Sequence, residues 1–89
     1  MARFEMHVDD MAAMGSQPVN AEKMFELGMT YATGRDMPAD LVSAHKWFNL
    51  AAMKGNSDAV RYRKEISEEM TSSDIAEAQR AAREWLTMQ

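Results

Sequence analysis

Cysteine is absent from the 89 residues, which removes any disulfide framework and every thiolate metal site. No apolar run approaches the roughly 20 residues that cross a bilayer, so membrane insertion is not expected. Proline and glycine are scarce, at 2 and 4 residues, and no stretch alternates apolar and polar side chains with β-branched enrichment, which argues against strands. Positive charge is short as well: ten Lys and Arg against fourteen Asp and Glu leave a net charge of −4. The basic footprint of a general nucleic-acid binder is therefore missing. Large apolar residues are also few. Of the 46% apolar fraction, 14 residues are Ala and 10 are Met, leaving 17 larger ones. So short a chain is marginally stable alone and gains from a partner.

What the chain does have is helical spacing. In residues 1–14, Phe4, Val8 and Met11 stand at i, i+4 and i+7 before Gly15-Ser16-Gln17-Pro18 breaks the pattern. This segment is read as either a loose tail or a docking arm. His7, Asp9 and Asp10 interrupt it, so it lacks the apolar stretch of a secretory signal, and the chain is expected to be cytoplasmic. Their spacing is poor for a metal site, and no metal or cofactor is expected.

From residue 20 the pattern predicts four helices. Asn20 caps a helix over Ala21 to Thr33, with Met24, Leu27, Gly28 and Tyr31 on one face and Phe25 and Met29 as a stripe beside it. Gly34 to Pro38 breaks the chain. A second helix, about Asp40 to Lys54, turns Leu41, Ala44, Phe48, Ala51 and Ala52 inward with Trp47 on the flank, and Gly55 ends it. A third starts near Ser57 with Ala59, Tyr62, Ile66 and Met70 on one stripe. Thr71 with Asp74 opens a fourth, whose inner side carries Ile75, Ala78, Ala82 and Trp85. Short connections predict two antiparallel helical hairpins. Gly28 in mid-helix should cost about 1 kcal/mol relative to Ala, so close helix contact is expected there, opposite Ala44 and Phe48.

The string Leu27-Gly28, Tyr31, Gly34, Ala44, Trp47-Phe48, Ala51-Ala52, Gly55-Asn56 and Ala59 closely resembles one unit of the Sel-one-like repeat, a relative of the tetratricopeptide repeat. The match covers about 36 residues. The family's next Leu-Gly pair would fall on Arg63 and Lys64, so helices 3 and 4 read as a cap on a single repeat. The resemblance implies an all-α chain of the α-α superhelix type in three parts: an arm at 1–19, a repeat hairpin at 20–56 and a capping hairpin at 57–89. It makes Leu27, Gly28, Tyr31, Ala44, Trp47, Phe48, Ala51, Ala52 and Gly55 packing residues. It implies a non-catalytic module whose members hold peptides or partner domains on the inner side of the superhelix.

Candidate partner contacts are Phe4, Val8 and Met11 of the arm, Phe25 and Met29 of the first helix, and Trp85 near the end. The partner is expected to be a protein, and pairing of two copies through the arm and first helix is the alternative. His45 is expected at the helix surface, since no orienting group and nucleophile converge on it. Arg61, Arg63 and Lys64, followed by Glu65, Glu68 and Glu69, read as a mixed solvated face.

Overall fold

The chain is seen in a computed structural model that describes residues 20–35 and 38–88. Among them the backbone forms four α-helices and no strand: α1 Ala21–Thr33, α2 Leu41–Met53, α3 Ser57–Ser67 and α4 Ser72–Thr87. The all-α expectation holds. None of these helices is long and apolar enough to cross a membrane. Phe4, Val8 and Met11 lie outside the described residues.

Each of the four described helices starts on a side-chain cap, which satisfies a backbone N–H that has no partner within the helix. Asn20 Oδ1 accepts from Lys23 N at 2.8 Å. Asp40 accepts from Ser43 N at 3.0 Å and from the Ser43 hydroxyl at 2.8 Å. Asn56 Oδ1 accepts from Ala59 N at 2.8 Å, and Thr71 Oγ1 from Asp74 N at 3.0 Å. At the other end of α1, Gly34 takes φ +66°, a left-handed conformation that suits glycine. The chain then returns closely enough for Asp40 N to donate to Tyr31 O at 3.0 Å.

α3 is shorter than its stripe predicts. It ends at Ser67, and Met70 lies beyond it in the turn, half-buried against the core. The last amides, of Glu68, Glu69 and Met70, bond three residues back rather than four. Three acidic residues, Glu65, Glu68 and Glu69, stand at the negative end of the helix dipole, which disfavours further turns.

α2 lies at the centre. It packs against α1, α3 and α4, whereas α3 and α4 barely touch each other. The first predicted hairpin is therefore formed, while the second pair of helices meets through α2. Small side chains permit close approach on both sides: Gly28 lets α1 close on Phe48, and Ala82 of α4 is part of the buried core. With neighbours on three sides, α2 buries Ala44, Trp47, Phe48, Leu50 and Ala51. Leu50 falls on the side that a lone hairpin would leave open to water.

Candidate functional site

The flank of α1 beside its seam with α2 carries an open hollow of about 210 Å³ bordered by Phe25, Glu26, Met29, Thr30, Thr33 and Arg35. Phe25 and Met29, the two residues singled out for partner contact, are half-buried, and both also pack against the core. The Phe25 ring sits 5.7 Å from Phe48 and 5.5 Å, edge-on, from Tyr62 of α3. Phe48 and Tyr62 stack at 5.8 Å. Such offset and edge contacts suit the ring quadrupoles. The Phe25 side of the hollow is thus backed by a three-ring cluster.

Its polar rim is partly committed. Glu26 pairs with Lys23 at 3.6 Å, a solvent-exposed pair that contributes little. The hydroxyls of Thr30 and Thr33 donate to the carbonyls of Glu26 and Thr30. Arg35 has no ion pair among the described residues and supplies positive charge at one end.

Trp85, the other partner candidate, is half-buried and stands edge-on to Trp47 at 5.5 Å, joining α4 to α2. Lys46 Nζ lies 4.6 Å from the centre of the Trp47 ring. Partial burial lowers the Lys46 pKa, and Glu84 across the joint opposes that shift. Beyond Trp85, Leu86 and Met88 are exposed, as are Met53 and Val60 on the neighbouring helices.

The residues assigned to repeat packing mostly meet one another. Ala44, Trp47, Phe48 and Ala51 are buried, and Leu27, Tyr31 and Ala52 pack against them half-buried. Gly28 is buried too. Gly55 differs: it is exposed at φ +102°, and a Cβ there would meet nothing within 4 Å. Its contribution is a turn conformation, not packing.

His45 departs from expectation. Only 3% of it is exposed, and its Nδ1 is buried with no hydrogen-bond partner. It sits at the joint between α2 and α3, where Arg63 Nη1 donates to Asn49 Oδ1 at 2.6 Å. Desolvation, helped by the Arg63 charge, lowers the His45 pKa below its ordinary 6.5. Arg63 is therefore not part of a freely solvated face. Arg61 still is, paired to Asp58 at 3.6 Å and lying over the Tyr62 ring. The available sequence signal was the make-up of α2, which carries Lys46 as its one charged residue. A helix with so few charges has no solvent side and belongs in the middle.

No family model matches this chain, and neither a curated protein nor a solved structure matches it. Among the described residues, no three His, Cys, Asp or Glu side chains gather as metal ligands would. The arrangement offers an aromatic-backed apolar hollow with a cation at its edge, suited to holding a side chain of another polypeptide.

Proposed function

We propose that this chain is a non-catalytic protein-interaction module, a small adaptor or accessory subunit of a larger assembly, related to the Sel-one-like repeat. The family reading is supported by the string of small and aromatic residues and by the contact of Gly28 with Phe48. The interaction reading rests on one observation: Phe25 and Met29 border a hollow on α1 while their inner sides are held by the core. Apolar side chains that are already immobilised lose little entropy on binding. A single helical hairpin also leaves one of its faces unstacked, since repeat arrays bury theirs against neighbouring units.

The test is a quantitative pull-down from the native host with wild-type bait and a Phe25→Asp, Met29→Asp bait of unchanged helicity. Loss of specific prey with the double variant supports the proposal, and identical prey for the two baits overturns it. Light scattering after size exclusion separates the alternative. A wild-type dimer that the double variant reduces to a monomer makes the partner a second copy of this chain.

A further inference from the structure

We propose that the joint between α2 and α3 is a proton-operated latch, in which a proton taken up by His45 releases α3 and uncovers the aromatic cluster under Tyr62. This goes beyond the adaptor reading and does not depend on it. The geometry has three parts. His45 is almost wholly buried with an unpartnered Nδ1, and the one backbone hydrogen bond that favours an added charge is outweighed by burial and by the Arg63 charge. The charged group bearing on it from α3 is the Arg63 guanidinium, itself held in place by Asn49 one turn along α2. α3 is also the shortest of the four described helices, eleven residues of which only Ala59 and Ile66 are buried, so few side chains hold it to α2.

Charges on the other elements do not offset an imidazolium. Lys46, next to His45 on α2, leans over Trp47 on the α4 side. Glu22, Lys23 and Glu26 of α1 are exposed, and so are Glu77, Arg80 and Arg83 of α4. Among the described residues no carboxylate acts on His45. Protonation therefore adds a cation at a buried site beside the half-buried Arg63, and separating the helices relieves both the burial and the repulsion. When α3 leaves, it takes Tyr62 from its stack on Phe48 and its edge contact with Phe25.

The sign follows from linkage. Folded, His45 binds a proton less readily than its ordinary 6.5; with α3 released it returns toward that value. Acid therefore favours the released form as pH falls below about 6.5, until both forms are protonated.

The experiment uses the full chain. Amide exchange, corrected for its intrinsic pH dependence, is followed from about pH 7.5 to about pH 5, with the His45 ring titrated by NMR. The wild type should lose protection at α3 amides such as Tyr62 and Ile66 while α2 stays protected, and His45→Gln should keep α3 protection across the range. Coincident wild-type and His45→Gln profiles overturn the proposal, as does simultaneous loss of α2 and α3 protection in the wild type. If His45→Gln is not helical at about pH 7.5, Arg63→Gln decides. An upward shift of the His45 titration supports the latch, and an unmoved one overturns it.

Discussion

A Cβ placed on Gly28 would lie 2.5 Å from both Cδ1 and Cε1 of Phe48. The Phe48 ring is wholly buried, with Phe25 on one side and Tyr62 on another, so it cannot swing aside. The missing side chain and the ring therefore form one complementary contact, and the α1–α2 seam depends on it.

Gly28→Ala should destabilise the chain although alanine is the better helix former. The gain in propensity is about 1 kcal/mol, and overpacking a closed core costs about 1–3 kcal/mol. Urea unfolding followed by circular dichroism is expected to show a lower midpoint. A raised midpoint would mean the ring yields. Gly28→Leu should abolish the cooperative transition.

Trp47 and Trp85 should be coupled. Their edge-on contact at 5.5 Å predicts an interaction energy of about 0.5–1.5 kcal/mol in a double-mutant cycle with Phe and Ala replacements. Near-ultraviolet circular dichroism should flatten in either single variant. Additive effects would place the two rings in separate environments.

Replacing His45 with Leu removes a buried nitrogen that has no partner. The variant is expected to be at least as stable as the wild type at neutral pH, because an unsatisfied buried polar atom costs about 1–3 kcal/mol. Its advantage should widen on acidification, since the histidine's pKa is lowered in the fold and the wild type loses stability as pH falls below 6.5. Thermal melts of both chains across pH check this, and a shrinking advantage in acid contradicts it.

Asn56→Ala should fray α3 selectively. The amide side chain accepts from Ala59 N at 2.8 Å, and loss of such a cap costs about 1 kcal/mol. Exchange of the first α3 amides should accelerate more than that of α1 amides. By contrast Arg80→Ala, which breaks an exposed pair with Glu84 at 4.0 Å, should change stability by less than about 0.5 kcal/mol.

Local signals set the helix boundaries well. Asn20 and Thr71 cap as their side chains require, and Gly34 takes the left-handed turn that ends α1. The close approach at Gly28 was legible because a mid-helix glycine needs a steric reason. The end of α3 is not legible from the stripe alone, because the apolar positions continue to Met70 while the charge pattern opposes more helix.

Composition and periodicity by themselves determine that the described residues are helical, where their helices begin, and which stripe of α1, α3 and α4 turns inward. These are properties of neighbouring residues: hydrogen-bond caps, dipoles and a repeat of 3.6. Which helix sits in the middle was decided only by tertiary packing. α4 settles on α2 instead of on α3, with Trp85 edge-on to Trp47, and the packing around α2 buries Leu50. α3 packs on α2 as well, bringing the Arg63 charge to bear on His45 and drawing Arg63 onto Asn49, fourteen residues away. No local rule relates residues so far apart, because the energy that joins them arises only when two faces have already met.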